Sequence, residues 1–194
     1  MARRSDHTAE QIVQIALESA RGVVVDEGIT ALSARKVAKV MGYTIGTLYQ
    51  HFEGMDDLVE RMNAQTLAAL YAHCKKGAGR GETAAQLKAL GILFTEFMQA
   101  HRNEWDAIMS YRYKDEHETS QDYHLQILRL FGLMEAATAH FYTEDEREKQ
   151  ASDMALLWAC LTGIWGVASS ERNVGGSLEQ MIEQLIDMFL KARD

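Results

Sequence analysis

Residues 31–58 read ALSARKVAKVMGYTIGTLYQHFEGMDDL, and this stretch decides the fold. Ser33 stands where a hydroxyl can cap a helix start, and the helix it opens runs to about Val40. Val37, Ala38 and Met41 form the inner face of that helix, and Gly42 ends it with the freedom to take a positive φ. Thr44 caps a second short helix that carries GTLYQHF, residues 46–52. Two short helices with a glycine in a tight turn between them spell a helix-turn-helix. Val37, Met41, Leu48 and Phe52 can close a small core beneath the pair, and Ala38 is small where the two helices cross. That leaves Thr44, Ile45, Thr47, Gln50 and His51 on or near the outer face, beside the Tyr49 phenol. Hydroxyl, amide, imidazole and phenol groups suit phosphates and base edges in a DNA major groove, and Ile45 suits a thymine methyl.

Outward from this stretch the pattern stays helical. In residues 8–27 the apolar positions Ile12, Ile15, Ala16, Ala20 and Val23 recur at steps of three and four. Thr8 is placed to cap that helix and Gly28 to stop it. After Gly54 a longer helix is expected over 55–76, with Leu58, Met62, Leu67, Leu70 and Cys74 on one side. KKGAGRGET, residues 75–83, is glycine-rich and basic and reads as a loop. Further helices are expected near 83–101, 103–112, 120–142, 145–171 and 178–192. The chain has no proline, which fits long helices with short connections. No stretch alternates at period two and no repeat of 20–50 residues recurs, so no sheet or array is expected.

The segment MALLWACLTGIWGVAS, residues 154–169, is apolar on nearly every side, and such a helix must be covered all round. Its glycines Gly163 and Gly166 read as a strip for close helix packing. In a chain of 194 residues a second subunit is the natural cover. The fold expected is all-α with about nine helices: a three-helix head, residues 1–54, on a helical body, residues 55–194. A homodimer should form through the helices near 145–171 and 178–192, as a four-helix bundle.

A formal net charge of −8 argues against a nucleic-acid protein until its distribution is read. Residues 1–55 hold six Lys/Arg and six Asp/Glu, so the whole excess falls on residues 56–194. The first quarter is the least acidic part, with Arg3 and Arg4 near its start, and local field outweighs total charge at an interface. Cys74 and Cys160 lie far apart with no signal-like segment before them, which reads as reduced thiols in a cytoplasm. No apolar run is long enough to span a membrane. No P-loop, G-x-S-x-G, H-E-x-x-H or C-x-x-C occurs, so no enzyme chemistry and no cofactor is expected.

The pattern over 31–58 resembles the DNA-binding head of the tetracycline-repressor (TetR) family of transcriptional regulators. The residues that carry the resemblance are Leu32, Ser33, Arg35, Val37, Ala38, Met41, Gly42, Gly46, Thr47, Leu48, Tyr49, His51, Phe52 and Leu58, within about residues 8–60. It implies that Arg35, Thr44, Ile45, Gly46, Thr47, Tyr49, Gln50 and His51 lie at or near DNA. Tyr49 and His51 would hold phosphates, while residues 44–46 and 50 would read bases. It further implies repression of transcription at a near-palindromic duplex operator, relieved by a small molecule that binds the body. Met55 departs from the pattern, because the family usually carries there a lysine that grips a phosphate, and Asp56 and Asp57 follow it.

The body is rich in large side chains, most of them core in any helical protein. A cavity for a small apolar or aromatic effector would draw on Trp105, Tyr111, Tyr123, Phe131, Met134 and Trp158. YRYKDEHETSQDYHLQ, residues 111–126, offers Asp115, Glu116, His117, Glu118, Asp122 and His124 as metal ligands. His117 and His124 are two turns apart on a helix, too far to converge on one ion. A solvated acidic loop is the expectation there, and no metal. The reading that competes with a regulator is a helical small-molecule-binding protein that no longer uses DNA, favoured by Met55 and the acidic balance.

Overall fold

The structure, a computed structural model, describes residues 7–79, 82–114, 117–168 and 177–192. Among these residues its regular elements are all helices, with no strand. The helices are α1 (Ala9–Glu27), α2 (Ala34–Met41), α3 (Ile45–Leu48), α4 (Met55–Cys74), α5 (Thr83–Ala100), α6 (Arg102–Ser110), α7 (Gln121–Thr138), α8 (Arg147–Ala168) and α9 (Leu178–Lys191). The all-α architecture is therefore as the sequence implies. Arg3 and Arg4 lie outside the described residues.

Two compact units are formed: one from residues 1–68 and 100–124, the other from residues 69–99 and 125–194. In the first, the local chemistry is that of well-capped short helices. The Thr8 hydroxyl accepts from Gln11 N at 3.3 Å while Gln11 Oε1 accepts from Thr8 N at 2.8 Å, a complete capping box. Gly28 ends α1 at φ 80°. The Ser33 hydroxyl accepts from Lys36 N at 3.3 Å and starts α2. Gly42, at φ 72°, ends it in the left-handed conformation that a side chain would resist.

Leu48 and Phe52 are buried, and with Val37, Met41, Ala16, Ala20 and Leu58 they make the core of this unit. It is a small core, and α6 completes it. Ala107 belongs to the same cluster, with Tyr111 and Tyr113 packed against it. Asn103 Nδ2 donates to the Val25 carbonyl at the end of α1 at 2.8 Å. Glu104, almost fully buried, lies 3.6 Å from Arg21 of α1 and 2.6 Å from the His101 ring.

The second unit packs α5, α7, α8 and α9 around Leu87, Phe94, Met134, Met154, Leu157, Leu161 and Ile186, all buried. Gly91 marks the closest approach in it: a Cβ built there would stand 2.6 Å from Ile182 Cγ2, so α5 meets α9 where only a glycine fits. Gly163 has open space around it among the described residues rather than a tight contact within the chain. α8 is apolar without a preferred side, and leaves Leu156 65% and Val167 39% exposed.

Candidate nucleic-acid interface

α3 is one turn long, shorter than the segment 46–52 for which helix is expected. The Thr44 hydroxyl starts it, accepting from Thr47 N at 3.1 Å and lying 3.0 Å from the Thr47 hydroxyl. Beyond Leu48 the chain continues in helical-type bonds, with Gln50 N on the Gly46 carbonyl and Phe52 N on the Leu48 carbonyl, each at 3.1 Å. Leu48 and Phe52 point down into the core, so residues one and two positions away point out. Ile45, Gly46, Tyr49 and Gln50 form an exposed row, with Thr44 at its start. Arg35 of α2 is exposed, and Thr47 and His51 are half-buried. Among the described residues nothing crowds a Cβ at Gly46, whose nearest atom would be Thr44 Oγ1 at 3.6 Å. The missing side chain therefore keeps the outer face low rather than easing a contact inside the protein.

The first turn of α4 explains the departure at 55. Met55 is half-buried and packs against the core of the head. The two carboxylates after it are both committed. Asp57 takes a two-pronged contact from Arg61, at 2.6 and 2.9 Å, and accepts from Glu53 N at 3.0 Å. Asp56 accepts from the Tyr111 hydroxyl at 2.7 Å. Acidic groups at a helix start are also favoured by the helix dipole.

Residues 111–114 and 117–120 lie along α4 as a strap. Tyr111 meets Asp56, the Tyr113 hydroxyl accepts from Asn63 Nδ2 at 3.2 Å, and the buried Glu60 takes two bonds. Its Oε2 lies 2.5 Å from His117 Nε2, and its Oε1 accepts from Ser120 N at 2.9 Å. The His117 ring stacks on Tyr113, centroids 4.9 Å apart and 11° from parallel. Burial raises the Glu60 pKa, but the Ser120 and His117 bonds outweigh it and hold the carboxyl below its ordinary value. Burial pushes the Tyr113 hydroxyl up to about 12, so it is a neutral phenol at working pH. His117 is thus a docked residue, not part of the solvated loop the sequence implies. Its only signal in the sequence is the alternation Tyr-Arg-Tyr-Lys just before it. His124 bonds the Ser120 carbonyl and the Thr119 hydroxyl. No group of three or more potential ligands gathers among the described residues, and Asp115 and Glu116 lie outside them.

The effector candidates fall into two sets. Trp105, Tyr111 and Tyr123 belong to the first unit, where Trp105 is 2% exposed. Phe131, Met134 and Trp158 belong to the second, and Trp158 lies 5.6 Å from Phe131 and 4.7 Å from Phe94 between ring centroids. Met134 and Trp158 line a cavity of about 30 Å³ with Cys74, Leu87, Phe94 and Ile186. Burial lifts the Cys74 thiol to about 12, which leaves it without the thiolate a redox sensor needs.

Residues 16–62 match the sequence model of bacterial regulatory proteins of the tetR family. Residues 16–62, and they alone, carry the tetR-family sequence. Solved structures agree on the fold. A TetR transcriptional regulator from Rhodococcus sp. RHA1 superposes with a TM-score of 0.70 at 16% identity, over 94% of this chain and 98% of that one. The TetR family regulator PfmR from Thermus thermophilus gives 0.62 at 15% identity, over 91% and 97%. A protein of unknown function from Rhodococcus sp. RHA1 gives 0.74 at 15% identity, over 98% of both chains. No curated protein matches the sequence. The matched segment is that of a family of regulatory proteins, the fold is shared with solved TetR regulators, and no described helix is long and apolar enough to cross a membrane.

Placing the usual cation back tests the α4 start. Met55→Lys should tighten binding to any duplex and steepen the dependence of log K on log salt by about 0.9. An unchanged slope in a salt titration would put residue 55 away from the phosphates.

Proposed function

We propose that the protein is a cytoplasmic, homodimeric transcriptional repressor. It binds a near-palindromic duplex operator and leaves it when a small apolar or aromatic effector occupies the body. DNA binding is assigned to residues 1–54, through Arg35, Thr44, Ile45, Gly46, Thr47, Tyr49, Gln50 and His51. Effector binding and dimerisation are assigned to residues 55–194. The observation that carries the reading is the exposed row Ile45, Gly46, Tyr49 and Gln50 over the buried floor of Leu48 and Phe52. Its mix of amide, phenol and a single branched apolar group, with Thr44 at its start, suits base edges, phosphates and a thymine methyl.

Support for the dimer comes from the bare apolar surface of Leu156 and Val167 on α8 and of Met188, 70% exposed, on α9. A two-fold pair of heads would give the operator its symmetry. An effector has an apolar cavity to enlarge, since 30 Å³ holds little more than a water. Its entry must therefore part Phe94, Met134 and Trp158. By linkage, operator DNA must weaken effector binding by the factor that effector weakens DNA binding. The competing reading leaned on Met55 and the acidic balance; Met55 packs against the core of the head, and the two carboxylates after it are bonded within the protein.

The test is selection of the protein against a random duplex library, with the survivors sequenced. A near-palindromic consensus is the expected result. Survivors no different from the input, from folded dimeric protein, would return the chain to the reading of a ligand-binding protein without DNA.

A further inference from the structure

Residues 111–114 read Tyr-Arg-Tyr-Lys, and their exposure alternates. Tyr111 and Tyr113 are half-buried against α4, held by Asp56 and Asn63, while Arg112 and Lys114 are exposed. The chain leaves α6 in extended backbone at Tyr111, and extended backbone turns neighbouring side chains to opposite sides. The inward tyrosines therefore aim both cations at solvent. Neither forms an ion pair among the described residues.

Their position gives that charge a use. Lys114 N lies 3.4 Å from Asp56 Oδ2, at the second residue of α4. Burial first, then Asp56, raise the Tyr111 pKa, and the phenol of Tyr49 adds to it, which puts the strap within electrostatic reach of the end of the exposed row. Around this point residues 1–68 supply Glu53, Asp56 and Asp57 against Arg61, and Arg61 is already engaged by Asp57. A duplex whose phosphates approached here would meet a field of the wrong sign, and no other cation among the described residues of the head lies on this turn. Two unengaged cations on the strap offset that excess within a screening length and offer direct partners to a phosphate.

We propose that Arg112 and Lys114 contact operator phosphates beside the α4 first turn, so that the DNA interface includes a segment beyond residue 100. This rests on the DNA-binding reading above. It also accounts for Met55: the cation missing from α4 is supplied by the strap that α4 holds, while residue 55 is given to the core. Because phosphates carry no sequence information, the contribution should be equal on every duplex.

The experiment is a salt titration of binding to a labelled random-sequence duplex and to the selected consensus. It compares wild type, Arg112→Gln/Lys114→Gln, and a matched pair, Arg147→Gln/Lys149→Gln, that removes two exposed cations of the other unit. Loss of about 1.8 from the log–log slope in the first pair, on both duplexes, and none in the second is the expected result. An unchanged slope in the first pair overturns the inference while leaving the regulator reading intact. So does an equal loss in the matched pair, which would reduce the effect to net charge. Wild type that binds neither duplex overturns both.

Discussion

Trp105→Ala should cost about 3–5 kcal/mol of stability, as loss of a fully buried indole does in a close-packed interior. Trp105 is 2% exposed on α6, directly after Asn103, which bonds the end of α1, and Glu104, which meets Arg21. A loss of this size takes a large part of the stability of an ordinary domain, about 5–15 kcal/mol. Urea unfolding would read it directly, and binding to DNA should fall with the folded fraction. The same variant decides a second question. An indole that lined a space for a ligand would cost far less on removal, because one side of it would face no packed atoms. A loss below about 1 kcal/mol would therefore move Trp105 from the core to an effector site.

Glu60→Ala should be the next most damaging change, at about 2–3 kcal/mol, because it takes from Ser120 N and His117 Nε2 the acceptor they share on a buried side chain. This loss has a pH signature. The folded carboxyl titrates below its ordinary 4.5, so its contribution is complete above that value and is lost as the pH falls through the folded value. The gap in unfolding free energy between wild type and Glu60→Ala should accordingly be constant near neutrality and close below pH 4.5. A gap that stays the same down to acid would mean that the carboxylate is not what fastens residues 117–120 to α4.

The head was readable because its information is local. A cap is one hydroxyl three residues before the amide it serves, as with Ser33 and Lys36 or Thr44 and Thr47. A left-handed stop needs only Gly42. The outer row of α3 follows once Leu48 and Phe52 are recognised as apolar four apart. The strap was not readable, because each of its bonds joins residues about 50 to 60 apart in sequence, and Tyr111, Tyr113 and His117 are spaced like loop residues. The same limit separated Trp105 and Tyr111 from Met134 and Trp158, which sequence alone groups only as large side chains.

The sequence by itself determined the helical class, the caps and stops of the head, and the exposure of Thr44, Ile45 and Gln50, though not the half-burial of Thr47 and His51, because periodicity and capping act over three or four residues. The tertiary structure alone decided that α6 completes the core of the head, that Asp56, Glu60 and Asn63 hold the strap, and that the cavity near Trp158 is small. Those outcomes depend on which distant surfaces meet, and burial is shared between partners that no local pattern pairs.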